Sequence, residues 1–191
     1  MAYIGQARGR NENIRTSMNT ETPGPQNGHV ASLHLHPLKA GDPLQSVEVI
    51  EVIEARGILD EPRYFGRLSR KTGQLSKRQV TLIEREQIGQ HAGALGLSSI
   101  PPGAVRSNIE TLGINLVALI GFEIEIGEAV LSLYAPRDPC SKMDAICQGL
   151  RELMTENRQG VLATVVQSGK IRIGDLVKVR KTRPEASAGI S

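Results

Sequence analysis

One of the two cysteines of the chain stands in a segment suited to chemistry, Arg137-Asp138-Pro139-Cys140-Ser141-Lys142. An Asp-Pro pair is typical of a helix start, so Cys140 is predicted to lie in the first helical turn. The free amide N–H groups of that turn, with the charges of Arg137 and Lys142, would stabilise its thiolate. Because a thiolate suits a soft metal or a sulfur-transfer reaction, Cys140 is the candidate catalytic and metal-binding residue.

The second cysteine, Cys147, is predicted to be structural. It belongs to a set of apolar residues with helical spacing, which predicts an amphipathic helix over about residues 141 to 156: Met143, Ile146, Cys147, Leu150, Leu153 and Met154. A buried free cysteine normally behaves as a small hydrophobic residue. Because the chain has only 2 cysteines, it cannot hold a four-thiolate iron–sulfur cluster, and any electrons must come from elsewhere.

A polar trio, Arg106-Ser107-Asn108, interrupts a predicted strand. In one interpretation Ser107 faces solvent, while Arg106 and Asn108 satisfy neighbouring backbone groups. In the other, Arg106 and Asn108 share one face of the strand, because side chains two apart point the same way, and bind an anionic ligand rich in heteroatoms. Spacing alone favours neither interpretation.

The segment from Arg63 to Arg78 carries basic residues and no acidic one. Such a run is most often a solvated loop. Its length and its glycines, Gly66 and Gly73, also suit a mobile loop that closes over a phosphate with Arg63 and Arg67. Nucleic acid is a disfavoured partner, because the formal net charge is only +3 and aromatic residues make up 3% of the chain.

Two histidines, His34 and His36, are spaced as residues on one face of a strand and could ligate a metal. No third ligand stands nearby in the sequence, so they are predicted to lie on a strand surface. The sequence also has none of the glycine-rich nucleotide-binding motifs, no serine-hydrolase motif and no His-Glu-x-x-His motif.

Short β-branched segments separated by glycines predict a mostly β protein. Strands are expected near residues 29–36, 46–55, 78–84, 104–110, 122–126, 129–134, 161–166 and 171–179, with a short helix over 85–95. Ser168-Gly169 is predicted to close a hairpin between the last two strands. Many short strands and few helices favour a small antiparallel or mixed β-barrel.

A single barrel domain is expected over residues 29–181, between a disordered tail over 1–28 and a polar tail over 182–191. The sequence shows neither the apolar run of about 7 to 15 residues of a secretory signal nor one of about 18 residues that spans a membrane. We therefore expect a soluble cytoplasmic protein with reduced thiols and no membrane partner.

Several motifs between residues 104 and 176 resemble those of the MOSC domain, the molybdenum cofactor sulfurase C-terminal domain. They are Arg106-Ser107-Asn108-Ile109-Glu110-Thr111, Gly127-Glu128-Ala129-x-Leu131, Arg137-x-Pro139-Cys140-x-Lys142-Met143-Asp144, Arg158-Gln159-Gly160-Val161-Leu162-Ala163 and Ser168-Gly169-x-Ile171-x-Ile173-Gly174-Asp175. The resemblance covers about residues 29 to 181 and implies a β-barrel. It also implies that the molybdenum cofactor, molybdopterin, binds with Cys140 attached to the metal and with Arg106 and Asn108 holding the pterin. The other expected cofactor-binding residues are Ser107, Arg137, Lys142, Arg63 and Arg67.

The resemblance implies a molybdenum-dependent oxidoreductase that reduces small N-hydroxylated compounds by oxygen transfer to molybdenum. Asp138 and Asp144 are candidates for protonating the departing oxygen, but a helix-capping role is favoured for each. A separate reductase or ferredoxin-like protein would deliver the electrons, and a homodimer is compatible with this function. One alternative is a carrier, either of sulfur as a persulfide on Cys140 or of the cofactor. A weaker alternative is a nucleic-acid-binding barrel that uses the loop from Arg63 to Arg78.

The sequence also departs from the family. Where many members carry Gly-Asp, this chain has Gly57-Ile58-Leu59-Asp60-Glu61-Pro62, which leaves the ligand contacts of that loop open. A pyridoxal-phosphate desulfurase domain does not fit into 191 residues, so we expect the protein not to activate sulfur by that route. The N-terminal barrel of the amidoxime-reducing members is also missing, which predicts weaker binding of the cofactor.

Overall fold

Eleven strands and two α-helices form the part of the chain, residues 27–180, that the computed structural model describes. The strands are β1 (Asn27–Leu35), β2 (Gln45–Val47), β3 (Val49–Ile53), β4 (Gly57–Ile58), β5 (Val80–Glu84), β6 (Ile109–Leu112), β7 (Glu123–Ile126), β8 (Ala129–Pro136), β9 (Val161–Gln167), β10 (Gly169–Arg172) and β11 (Leu176–Arg180). The helices are α1 (Arg85–Ala94) and α2 (Leu150–Leu153). Neither of these helices could cross a membrane. The predicted tails lie outside the described residues, except that β1 already begins at Asn27.

Seven of the described strands close into a barrel in the order β1, β11, β7, β8, β9, β5 and β6. β1 completes the circle, because its first residues pair with β11 and its middle residues pair with β6. β5 and β6 run parallel, as expected for two strands whose connection contains a helix. β2 extends the sheet beyond β1, and β10, β3 and β4 form a separate sheet. The mostly β barrel predicted from the sequence is confirmed.

Two buried apolar clusters lie on opposite sides of β5. Leu82 belongs to the core of the barrel, and the next residue, Ile83, points the other way and belongs to a second cluster. The second cluster holds α1 and the segment after Cys140 against the barrel: Ile83, Ile88, Ala92, Ile100, Val105, Met143, Leu150 and Met154. Each large apolar side chain buried in this way contributes about 1.5–3 kcal/mol.

The hairpin predicted at Ser168-Gly169 is wrong, because β10 pairs with β3 rather than with β9. The chain leaves the barrel at this point and turns back into β11 through Gly174, whose φ of 87° lies in the left-handed region. The strand predicted over 171–179 is consequently two strands. The helix predicted over 85–95 and the paired strands on either side of Gly127 are confirmed.

The helix predicted over 141–156 is also wrong. Only α2 is helical in this stretch, and the residues before it form successive turns. Oδ1 of Asp144 accepts the N–H groups of Gly149 at 3.2 Å and Arg151 at 3.1 Å, and Gly149 has a φ of 88°, which a right-handed helix does not contain. Cys140 therefore precedes a series of turns, and a helix dipole does not stabilise its thiolate.

Buried His91 joins α1 to the loop before β9. Its Nε2 donates a hydrogen bond to the carbonyl oxygen of Arg158 at 2.8 Å. Burial lowers the pKa of His91 below its ordinary value of 6.5 and outweighs this hydrogen bond, which raises it. The unfolded chain therefore takes up a proton more readily than the folded protein. The contribution of His91 to the free energy of unfolding is therefore complete above the pKa that His91 has in the unfolded chain, and it is lost as the pH falls below that pKa.

We expect the free energy of unfolding, measured by urea denaturation, to fall between about pH 7.5 and about pH 5.5, with one proton contributing at most about 1.4 kcal/mol per pH unit. In His91→Gln, which keeps a donor for Arg158, the fall should be smaller. Part of the fall in the free energy of unfolding should remain in this variant, because burial also lowers the pKa of His34. An equal pH dependence in both proteins would contradict this role of His91.

Candidate functional site

A cleft of about 210 Å³ opens where the end of β1, the loop after β4, the loop before β6 and the segment after β8 meet. Three cationic side chains and no carboxylate belong to its lining residues, which are His36, Pro37, Leu38, Ala40, Pro62, Arg63, Arg106 and Lys142. A concave surface with this charge favours an anionic ligand.

Arg106 reaches the cleft because the loop before β6 is not part of a strand. The strand predicted over 104–110 begins only at Ile109, and Arg106 has a φ of 61° in the left-handed region. For a residue other than glycine this conformation costs about 1–2 kcal/mol. Nη1 of Arg106 donates to the carbonyl oxygen of Asp42 at 3.0 Å. Burial, and after it the nearby charge of Arg63, lowers the pKa of Arg106.

Asn108 lies behind the cleft. One interpretation of the sequence placed Asn108 and Arg106 on the same face of a strand, but neither residue belongs to a strand, because β6 begins at Ile109. Its Nδ2 donates to the carbonyl oxygen of His34 at 3.2 Å and to Oε2 of Glu61 at 3.1 Å. Its Oδ1 accepts the backbone N–H of Thr81 at 3.2 Å and the hydroxyl of Thr81 at 2.8 Å. The amide is thus fully used within the protein. Asn108 therefore braces the loop after β4 against β1 and β5.

Arg137 is a buried cation that has no carboxylate partner among the described residues. Its side chain follows β8, and Nη1 donates to Oγ of Ser107 at 2.9 Å and to the carbonyl oxygen of Val105 at 3.3 Å. Within residues 27–180 it forms no ion pair with a carboxylate, and its Nε has no hydrogen-bond partner. Burial, and after it the charge of Arg78, lowers the pKa of Arg137 to about 10, so the guanidinium stays charged at neutral pH. Buried charges are normally paired, and this one needs an anion.

Ser107 is fully buried beneath this guanidinium. The interpretation that placed it in solvent is therefore wrong. Its hydroxyl accepts from Arg137, so it positions the cation and does not itself line the cleft.

The basic loop is anchored around Tyr64. The guanidinium carbons of Arg78, Arg63 and Arg67 lie 5.0, 5.5 and 5.9 Å from the centroid of its buried ring. The electron-rich face of an aromatic ring attracts cations, so the ring holds three positive charges close together. Because the charge of Arg78 also acts on Arg137, the loop belongs to the same cationic region. These contacts favour the anion-binding interpretation of the loop.

The two cysteines differ in their surroundings. Cys140 is exposed. Lys142, two residues later, lines the cleft, whereas Cys140 itself is not among the lining residues. Cys147 is half-buried and packs against the second apolar cluster, as expected for a structural residue.

The prediction that His34 and His36 lie on a strand surface is wrong, because both are buried. The ring of His34 contacts the hydroxyls of Ser32 and Ser46 at 3.0 and 3.3 Å. His36 forms part of the cleft wall and pairs with Glu61, with 3.2 Å between Nδ1 and Oε2. Glu61 was missed from the sequence. The only feature of the sequence that points to Glu61 is its position in the segment Gly57 to Pro62, which departs from the family pattern.

A sequence model described as the MOSC domain matches residues 33–178. Among solved structures, the YuaD protein from Bacillus subtilis has a TM-score of 0.70 at 16% identity, over 81% of this chain and 96% of its own. YiiM from Geobacillus stearothermophilus has a TM-score of 0.64 at 19% identity, over 83% of this chain and 78% of its own. YiiM from Escherichia coli has a TM-score of 0.57 at 18% identity, over 84% of this chain and 71% of its own. These structures share the fold. No curated protein sequence matches the chain.

Proposed function

Because the chain belongs to the MOSC domain family, we propose that its cleft binds the molybdenum cofactor and that the protein is a molybdenum-dependent oxidoreductase of N-hydroxylated compounds. One observation carries the proposal: among residues 27–180 the buried guanidinium of Arg137 has no carboxylate partner, and its Nε has no hydrogen-bond partner. A cationic site with one soft ligand suits a metal that is held by an anionic organic cofactor.

The residues fit such a cofactor. Molybdopterin is anionic, because it carries a phosphate, and its dithiolene supplies sulfur ligands of its own. Among the described residues no group of three or more His, Cys, Asp and Glu side chains could hold a metal unaided. One protein thiolate is enough when the cofactor brings the other ligands. Nε of Arg137, which has no hydrogen-bond partner among residues 27–180, offers a donor to such a cofactor.

In this proposal Cys140 binds the metal through Sγ. The anionic groups of the cofactor are bound by the cationic side chains in and around the cleft, Arg63, Arg67, Arg106, Arg137 and Lys142. Ser107 and Asn108 act behind the cleft, where they hold Arg137 and the loop after β4 in place. When bound, the molybdenum would supply the two-electron redox chemistry for the removal of oxygen from the substrate. The chain contributes binding, orientation and fixed positive charge.

The electrons come, in this proposal, from a separate reductase or ferredoxin-like protein. The two cysteines of the chain are Cys140 and Cys147, which is too few for an iron–sulfur cluster. The sequence also contains no glycine-rich dinucleotide motif. The proposal therefore predicts turnover only when an electron donor is added.

A sulfur carrier is the second candidate, because the thiol of Cys140 is exposed. A persulfide acceptor needs a thiol that the sulfur donor can reach, and Arg137 and Lys142 place positive charge near Cys140 in the sequence. A carrier would hold labile sulfane sulfur on Cys140 and would show no turnover. The enzyme would keep its metal and reduce an N-hydroxylated substrate.

Replacing Cys140 by serine tests the metal ligand. In a host that makes the cofactor, we expect the wild-type protein to purify with stoichiometric molybdenum and Cys140→Ser with at least about tenfold less, because a lost ligand affects metal affinity at least as much as a lost outer-shell partner. Elemental analysis of both proteins measures this. Cys147→Ser is the matched control and should keep its molybdenum. Equal molybdenum in wild type and Cys140→Ser would exclude Cys140 as a ligand, and sulfane sulfur without metal would favour the carrier.

A further inference from the structure

Glu61 and His36 form a buried acid–base pair at the cleft wall. Oε2 of Glu61 accepts the backbone N–H of His36 at 2.9 Å and lies 3.2 Å from the ring Nδ1 of His36. Asn108 donates to the same oxygen, and the backbone N–H of Arg63 donates to Oε1 at 3.0 Å. These bonds engage both carboxylate oxygens, so the carboxylate is fixed against the imidazole.

The carboxylate determines the tautomer of His36. Burial by itself raises the pKa of Glu61, but the hydrogen bonds from His36 and Arg63 outweigh it and the pKa is lowered, so Glu61 is ionised at neutral pH. An ionised carboxylate only accepts hydrogen bonds. The neutral ring of His36 must therefore carry its proton on Nδ1, which leaves a lone pair on Nε2. When the ring is protonated, Nε2 carries the proton that can be transferred.

Nε2 is the free end of the pair. Within residues 27–180 it has no hydrogen-bond partner, and it is not one of the unpartnered atoms that are sealed from solvent. His36 shares the cleft wall with Arg63, Arg106 and Lys142. The ring of Tyr64 meets the imidazole edge-on, with 5.3 Å between the centroids, and keeps it in place. The imidazole is thus faced by its partner carboxylate, one phenol and three cations.

The two aspartates that the sequence offered as alternative proton donors, with capping as their favoured role, are placed elsewhere. Neither Asp138 nor Asp144 lines this cleft. Oδ1 of Asp144 is occupied by the two backbone N–H groups of Gly149 and Arg151. His36 is therefore the group of the cleft wall whose chemistry suits transfer of a proton at neutral pH.

We propose that His36 is the catalytic proton donor of this cleft and that Glu61 is the positioning residue that holds its ring. This inference rests on the proposed function. Reduction of an N–OH group to N–H consumes two protons and two electrons, and the external reductase would supply the two electrons by way of the bound cofactor. The N–O bond breaks and the oxygen leaves as water. The imidazolium gives its Nε2 proton to the departing oxygen and regains one from solvent, and the nitrogen takes the second proton from solvent.

The imidazole has charged neighbours of both signs. The carboxylate of Glu61 lies 3.2 Å from Nδ1 of His36, and Arg63, Arg106 and Lys142 line the same cleft.

The tautomer can be tested in the cofactor-free protein. Long-range ¹H–¹⁵N NMR spectra should show neutral His36 with its proton on Nδ1, and the signal is identified by its loss in His36→Gln. In Glu61→Gln the share of the tautomer protonated on Nε2 should rise, because the anionic acceptor is gone. A wild-type His36 protonated on Nε2 when neutral would overturn the proposal, whatever the activity of the enzyme.

The proton transfer is tested in the holoenzyme. His36→Gln should keep its molybdenum and lose about 10²-fold or more in kcat, which is the range of general acid catalysis, with little change in KM. The wild-type rate should fall on the alkaline side of its pH profile, and this limb should be absent in His36→Gln. Added imidazole should restore part of the activity of His36→Ala, which a purely structural role would not allow. His29→Gln changes an exposed histidine of β1 and is the matched control.

The outcomes separate the two proposals. A His36→Gln enzyme with wild-type molybdenum content, rate and pH profile would overturn the role of His36 alone. Loss of molybdenum from His36→Gln would make His36 a cofactor-binding residue instead and would also overturn it. A wild-type protein without molybdenum or turnover would overturn the proposed function, and the proton-donor role would fall with it.

Discussion

Replacing Arg137 by methionine is expected to raise the stability of the cofactor-free protein and to abolish its stabilisation by phosphate. Burial, and after it the charge of Arg78, lowers the pKa of Arg137 below the ordinary arginine value to about 10, which means that the folded protein disfavours the charged form at every pH below that value. At about 1.4 kcal/mol per pH unit this amounts to about 3 kcal/mol. Methionine removes this cost but also the hydrogen bonds to Val105 and Ser107. A net gain of about 1 kcal/mol in the free energy of unfolding should remain.

Thermal unfolding with and without inorganic phosphate measures both effects. Phosphate should raise the Tm of the wild-type protein, because a ligand that binds only the folded state stabilises it by mass action. It should leave the Tm of Arg137→Met unchanged. Arg70→Met removes an exposed arginine of the basic loop and is the matched control, so it should keep the response to phosphate. Equal stabilisation of Arg137→Met and wild type by phosphate would show that the buried cation is not the partner of the anion.

The barrel could be predicted from the sequence because its determinants are local. Short β-branched segments between glycines report strands, and the turn at Gly127 brings Ile126 opposite Ala129 as expected. The segment before α2 shows the limit of this reasoning. The apolar spacing of this segment predicts that Met143 is buried, and it is. A series of turns buries the side chain just as a helix would, so the spacing does not distinguish the two structures. The side chain of Asp144, which takes backbone N–H groups for itself, decides between the two.

The candidate site could be predicted only where residue type alone indicates chemistry. Cys140, Arg106 and Lys142 were singled out in this way, because a thiol and clustered cations have few uses. The structure exposes Cys140 and places Arg106 and Lys142 in the lining of the cleft. The pair of His36 and Glu61 could not be found, since the two residues stand 25 positions apart and only the path of the loop after β4 joins them. The left-handed φ of Arg106, which turns its side chain away from the position of a strand residue, is likewise set by the closed barrel around it.

Gly160→Ala is expected to have the largest effect on stability. Gly160 precedes β9 with a φ of 74°, and an added Cβ would overlap the carbonyl oxygen of Leu82 and lie 2.8 Å from Cβ of Ile83. Both contacts belong to β5, whose residues are all buried, so the strand has little room to move. The overlap adds to a backbone cost of about 1–2 kcal/mol, and a total loss above about 4 kcal/mol is expected.

Gly174→Ala separates the overlap from the backbone conformation. Gly174 has a similar φ of 87°, but nothing lies within 4 Å of an added Cβ, so only about 1–2 kcal/mol should be lost there. Urea denaturation of both variants measures the difference, and equal losses would contradict the role of the close approach to β5. The carbonyl oxygen of Gly160 also accepts the backbone N–H of Arg137 at 2.9 Å. A displaced β9 should therefore release Arg137, and any folded Gly160→Ala protein should lose its stabilisation by phosphate, whereas Gly174→Ala should keep it.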